Sequence, residues 1–319
     1  MGNNLSRRDF VKSTAAIGAA SLLGGGIISR MATAAIPAGK AEISVVKGAD
    51  YFNNTQKAIK MIGGMRKFVR KGQKVGLLVN SDFEIPGAYV NPDIVLAVID
   101  LCKKTGASEI RCIQNIKPEF WQRSSYYEEF KEQIAGLKIE TKNQFPSEFD
   151  EENFTKLQGI PGAKNLTGEV EVSNAILNCD VLINIPIAKH HALTHYTGAL
   201  KNMMGVGTRK TNVFYHLGSD ERNNPDFLGQ CIADINTLKR SDLVVVDATH
   251  FITSNGPVGP GDERREDIIV AGSDIVAVDA LCCTYLDYRA EEINAIQKAY
   301  EMGLGEIDYK KLKIKELNA

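Results

Sequence analysis

The chain has 319 residues, with 38 Lys and Arg against 39 Asp and Glu and a formal net charge of −1. No block of like charge stands out, so nucleic acid and anionic lipid are excluded as expected partners. The length beyond the first few dozen residues, about 285, suffices for one large domain or two lobes, each with a core of its own.

Residues 1–34 read as an export signal rather than as part of the fold. SRRDFVK (Ser6 to Lys12) is a basic n-region, STAAIGAASLLGGGII is an apolar h-region, and Ala32-Thr33-Ala34 is a small-x-small cleavage site. The h-region is too short and too rich in Gly and Ala for a stable membrane span. The paired Arg7 and Arg8 specify the twin-arginine route. The expectation is therefore transport by the twin-arginine translocase, cleavage after Ala34, and a periplasmic or otherwise exported product at 35–319. No Cys sits at the cleavage site, so no stable membrane anchor is expected.

From Ala41 onward short apolar strands alternate with helical stretches. KVGLLVN (Lys74 to Asn80) is a buried-strand run. NPDIVLAVIDLCKKTGA (Asn91 to Ala107) follows as a helix, with Ile94, Val95, Val98, Ile99 and Cys102 on the 3.6 period and Gly106 as its stop. SEIRCIQ (Ser108 to Gln114) is the next strand, which completes a βαβ unit and implies a parallel sheet. Residues 117–168 break the rhythm; they are polar and aromatic-bearing and read as a surface insertion. A lid closing on a ligand through Trp121, Tyr126 and Tyr127 is the alternative. The rhythm resumes with a helix near Ser173 to Asn178 and the strand DVLINIPI (Asp180 to Ile187). A helix at Phe227 to Arg240, a strand at Asp242 to Thr249, a strand–turn–helix at Asp267 to Leu286 and an amphipathic helix ended by Gly303 and Gly305 complete the chain. The fold class expected is α/β, with mainly parallel sheets, flanking helices and two lobes (41–168 and 169–319) around a central site.

The six cysteines form no C-x-x-C, which argues against a thiolate zinc site or an iron–sulfur cluster. Buried core thiols are expected instead. Four of the five histidines (His190, His191, His195, His216) fall in one window, KHHALTHYTGALKNMMGVGTRKTNVFYH, that opens where a strand ends. Ligands of open α/β sheets bind at the carboxyl ends of strands. His191 and His195 are four apart; on a helix they share a face and suit one divalent metal, with His216 as a third ligand. They equally suit proton transfer. Lys201 fits as an anion contact or, with a depressed pKa, a nucleophile. Gly198 and Gly205 allow a ligand close to the backbone. His190 is set aside, because neighbours in an extended segment point apart. Met203 and Met204 read as core. Asp247 and Asp279 lie inside apolar runs, where Asp279 is expected to cap a helix or pair with a lysine. GPVGPG reads as a loop or as a backbone cradle for an anion.

The motifs DVLINIPIAKHHALTHYTGALKNMMG, VDATHFITSNGPVGPG, VAGSDIVAVDAL and AYEMGLG, in this order, resemble those of the family termed domain of unknown function 362. That resemblance implies α/β architecture and leaves the activity open. More distantly, a histidine, a lysine ten residues on (His191 to Lys201) and a later histidine (His216) are similar to the nickel-pincer lactate racemase family. This similarity implies a lysine holding a nicotinate-derived cofactor, a nickel-ligating His216 and an acid/base His191. The further histidine and the arginine motif of that family's first lobe have no counterpart in SDFEIPGAYVNP (Ser81 to Pro92), and Ala199-Leu200 replaces Gly-Arg before the lysine. The function expected is an exported enzyme that binds a metal or an anionic small molecule at His191, His195, Lys201 and His216. Solute or metal binding without turnover is the alternative.

Overall fold

The computed structural model describes residues 42–139 and 149–319, so the expected export signal lies outside the described residues. The first half contains β1 (Glu42–Lys47), α1 (Tyr51–Met61), β2 (Lys74–Val79), α2 (Pro92–Lys104), β3 (Glu109–Cys112), α3 (Pro118–Gln122), α4 (Tyr127–Ala135), β4 (Lys138–Ile139), β5 (Phe154–Gln158) and β6 (Glu169–Ser173). Next come α5 (Asn174–Asn178), β7 (Val181–Ile185), β8 (Lys189–His191), β9 (His195–Thr197), α6 (Ala199–Asn202) and α7 (Arg209–Leu217). The remainder holds α8 (Pro225–Ile235), β10 (Leu243–Ile252), β11 (Glu263–Gly272), α9 (Ile275–Cys282), α10 (Asn294–Glu301) and β12 (Lys313–Asn318).

Local chemistry fixes these elements. β2 and β7 are apolar along nearly their whole length, as strands covered on both faces must be. α2 starts where Asn91 accepts from the Asp93 N–H and Pro92 occupies the first turn. α8 repeats the device with Asn224 and Pro225. α9 is buried on almost every side, which its continuous apolar sequence requires.

Eight strands form one sheet in the order β12-β1-β11-β10-β7-β2-β3-β4. The neighbours from β4 to β10 are parallel, and β11 runs against both β10 and β1. The α/β class with a mainly parallel sheet is thus present. The segments expected as first and second lobes share this sheet, because β2 pairs directly with β7. Two small antiparallel pairs, β5 with β6 and β8 with β9, stand outside it.

The insertion is more buried than its composition suggests. Phe120 and Trp121 are in the core, edge to face at 5.1 Å, and Tyr126 stacks on Phe52 of α1 at 4.4 Å. Tyr127 lies under the Lys131 ammonium. These rings are spent on packing, so the lid reading of Trp121, Tyr126 and Tyr127 is not what the described residues show. All six cysteines are buried and free.

One topological feature positions the site. From β2 the chain moves outward to β3 and β4, whereas from β7 it moves the other way to β10. The crossovers diverge at β2 and β7, which opens a crevice beyond their carboxyl ends. Asn80, Asp82 and Phe83 leave the sheet there after β2, and Ala188 and Lys189 after β7.

Candidate functional site

A cavity of about 180 Å³ occupies this crevice. Asn80, Asp82 and Phe83 come from β2, Gln114 from the end of β3, and Lys189 and Thr197 from β8 and β9. Lys201, Asn202, Met204 and Gly205 follow from α6 onward, α7 adds Asn212 and His216, and the β10–β11 loop adds Pro257.

The histidine-rich window is a hairpin, not the helix on which His191 and His195 would share a face. Lys189 pairs with Thr197, His190 with Tyr196 and His191 with His195. Directly opposed residues project to one side and neighbours alternate, so Lys189, His191 and Thr197 share a face and His190 takes the other. His190 accepts the Gly256 N–H at Nδ1. His195 has a left-handed φ of 59° at the hairpin end, and its exposed ring meets Tyr288 at 5.6 Å.

Lys189 is fully buried and staples two walls of the cavity. Its ammonium donates to the carbonyls of Ala88 and Pro257, the latter at 2.9 Å, and lies 3.7 Å from the centre of the Phe83 ring. Burial and the charge of Lys201 push it down to about 6, against a smaller opposite pull from Asp82. A neutral amine still has two N–H groups, enough for both carbonyls. The GPVGPG loop therefore offers the site a carbonyl acceptor at Pro257 rather than the anion cradle considered from its sequence.

Lys201 rides on α6, a single turn held from three directions. The Asp279 carboxylate accepts from the Ala199 and Leu200 N–H groups at 2.8 Å each, which caps the turn as its sequence context suggested. Asn236 donates to the Leu200 carbonyl at 2.9 Å. Asn202 bonds Asn184 of β7 and the Leu78 carbonyl of β2. Burial alone depresses the Lys201 ammonium, to about 8, and no acidic partner offsets it. Lys201 is thus a fixed cation that meets no counter-ion among the described residues. Asp82, the carboxylate of the cavity lining, already holds an interaction of its own.

His191 sits beside this pair. Its Nδ1 accepts from the N–H groups of Leu193 and Thr194 at 3.1 and 3.2 Å. Burial and the charges of Lys201 and Lys189 drive its pKa to about 2, so the ring is neutral and carries its proton on Nε2. His216 donates from Nδ1 to Asn223 Oδ1 at 3.0 Å, which leaves Nε2 as an acceptor, and burial lowers its pKa. Thr197 is only 3% exposed and lines the cavity, and its hydroxyl has no hydrogen-bond partner among the described residues.

Among the described residues, no three His, Cys, Asp or Glu side chains are grouped to hold a metal ion. His191 would have to bind through Nε2 with a proton on Nδ1, facing two backbone donors. His195 is turned to Tyr288. His191, His195 and His216 do not fit a shared divalent metal. Gly198 also has a packing role rather than a ligand-facing one: a Cβ there would lie 2.3 Å from the Tyr196 ring and 2.4 Å from Asp279. Gly205 does line the cavity, and its carbonyl accepts from Gln114 at 2.8 Å. Lys189, Thr197, Asp82, Phe83 and Gln114 were not singled out from sequence. Lys189 had a readable signal, a lysine at the end of the largely apolar run VLINIPIA.

Fold and cavity together define an α/β protein with a polar, lysine-bearing pocket at the switch point of its sheet. The chain belongs to the family described as domain of unknown function (DUF362), whose model matches residues 74–284. Residues 4–24 match the twin-arginine translocation signal, so the chain is exported through the twin-arginine translocase. No helix among the described residues is long and apolar enough to cross a membrane. The thylakoid-associated protein sll1697 of Synechocystis sp. is 24% identical over 250 residues, which is 76% of this chain and 72% of that protein. The lactate racemase apoprotein from Thermoanaerobacterium thermosaccharolyticum is similar with a TM-score of 0.42 and 11% identity, over 70% of this chain and 54% of that one. The match thus spans about half of the racemase chain.

Proposed function

We propose that this exported protein is an enzyme that binds a small organic anion in the β2–β7 crevice and moves a proton on it. One observation carries the reading: Lys201, on a firmly held turn, is a cation that meets no counter-ion among the described residues and lines a cavity at the carboxyl ends of the strands. In low-dielectric surroundings such a charge attracts an anion more strongly than it would in water. A carboxylate is the simplest group to fill the place. Lys201 and Lys189, at about 8 and about 6, bracket neutral pH, where general acids and bases work best. His216 adds a neutral acceptor to the cavity wall, whereas His191 lies outside the lining. His195 and Gly198 are left out of the proposed site, and Gly205 is kept as part of its wall.

Binding without turnover is the second reading, and Lys189 favours it. Both hydrogens that its neutral form carries are committed to main-chain carbonyls, which suits a wall better than a proton carrier. Titration calorimetry with short carboxylates, on the parent and on Lys201→Met, tests the binding. Saturable binding lost in the variant is the expected result; no binding of any carboxylate overturns the proposal. Exchange of carbon-bound hydrogen of the bound acid in heavy water, followed by NMR, then separates an enzyme from a binding protein.

A further inference from the structure

A second pocket of about 390 Å³ adjoins the cavity, and the two share His216 and Asn212 as lining residues. Its floor is one face of α7. Arg209, Asn212, Val213, His216 and Leu217 follow the helical repeat of i, i+3, i+4, i+7 and i+8. Its two apolar residues, Val213 and Leu217, are of the kind that a helix normally turns to the core. Here Val213 is 43% and Leu217 52% exposed, whereas Thr211 and Tyr215 on the other side of the helix are buried. Arg222, in the loop after the helix, closes the pocket with Asn223, whose side chain is tied to the His216 ring.

The charge is as one-sided as the packing. Arg209 and Arg222 make no ion pair among the described residues, and no Asp or Glu lines the outer pocket. Beside the inner cavity there is thus a short apolar strip, Val213 and Leu217, in a pocket that also holds two arginines. A guanidinium suits a carboxylate or a phosphate, since both accept paired N–H donors.

We infer that the ligand is an elongated organic dianion: one acidic group at Lys201, an apolar spacer along Val213 and Leu217, and a second acidic group between Arg209 and Arg222. The inference rests on the anion reading of the inner cavity and adds to it a substrate class. The second group is a carboxylate or a phosphate, which share this recognition chemistry. His216 stands between the two chambers, so the spacer passes its ring.

The test is titration calorimetry with butyrate, hexanoate and octanoate against adipate, suberate and sebacate, then with ω-phosphorylated counterparts of the longer acids. The dianions are expected to bind at least about tenfold more tightly than the monoanions once the spacer is long enough, a gain of about 1.4 kcal/mol. Arg209→Gln with Arg222→Gln is expected to remove that gain and leave butyrate binding unchanged. Equal affinity of mono- and dianions at every length overturns the inference, and so does a gain that survives in the double variant. Short acids that bind through Lys201 with no gain from the second group defeat this inference alone. Failure of all the acids defeats the anion reading as well. A melting temperature equal to the parent's shows that the double variant is folded. The better of the carboxylate and phosphate series names the outer group.

Discussion

Thr197 stands directly across the β8–β9 hairpin from Lys189, and in the cavity lining its buried hydroxyl has no partner among the described residues. The lysine opposite it is fully engaged, with two carbonyls and an aromatic face. A buried polar group left unpaired costs about 1–3 kcal/mol, which the surrounding packing has to offset. Thr197→Val preserves shape and removes the unpaired oxygen. Its melting temperature without ligand is expected to equal or exceed the parent's, while carboxylate affinity falls about tenfold, a loss of one hydrogen bond of about 1.4 kcal/mol. Calorimetry beside thermal denaturation checks both. Destabilisation with unchanged affinity would remove Thr197 from the site.

The two lysines give stability and binding different pH dependences. Both have folded-state pKa values below the ordinary 10.5, at about 6 for Lys189 and about 8 for Lys201. Between each value and 10.5 the unfolded chain holds a proton that the native chain lacks, so their contribution to stability increases as pH rises through these windows. Anion binding runs the other way. It needs the Lys201 proton, so affinity is expected to fall about tenfold per pH unit above pH 8. Lys201→Met, which removes the binding itself, weakens the rise in stability. Denaturant titrations and calorimetry from pH 6 to pH 10 measure the two slopes.

Asp279 reaches the chemistry through the backbone alone. Replacing it by Ala strips two N–H groups and the Tyr196 hydroxyl of their acceptor in one step. A loss of about 3 kcal/mol is expected, with the Lys201 turn displaced and carboxylate binding gone. Asp279→Asn keeps one acceptor and should recover part of both. Equal stability of Asp279→Ala and the parent would show that the turn is held without this cap.

Metal removal separates the lysine reading from the histidine reading. The parent dialysed against a chelator is expected to keep its melting temperature and its carboxylate affinity. His195→Ala, which alters a ring packed beside Tyr288, should also bind as the parent does. Elemental analysis combined with calorimetry decides it, and a chelator-sensitive affinity restored by nickel or zinc would return His191, His195 and His216 to a metal site.

The βαβ start and the strand at β7 were legible because each rests on local signals: an apolar run, a 3.6-residue period, a glycine stop. The hairpin was not, because His191 and His195 satisfy a helical spacing and a two-strand register equally well. Only their pairing across the loop Ala192-Leu193-Thr194 decides between them. Lys189 was readable in principle. A charge inside an apolar run needs a partner, which holds for Asp247 and Asp279 and equally for the lysine that ends DVLINIPIAK. Asp82, Phe83 and Gln114 were beyond reach, since they join the cavity only through the order of β2, β3 and β7 in the sheet. The antiparallel direction of β11 likewise follows from the long hairpin it makes with β10, not from any pattern of its own residues.

The first described strand has its partners far along the chain. Ile43 of β1 lies opposite Gly272 of β11 and Ile314 of β12, so β1 stays unpaired until the ribosome has made most of the protein. Pairings of such sequence separation form late, because the loop they close must be ordered first. The export signal is joined to this strand. Although it comes first in the chain, β1 is the last strand whose two neighbours are both made, so a chain cut short before β12 leaves one edge of β1 open.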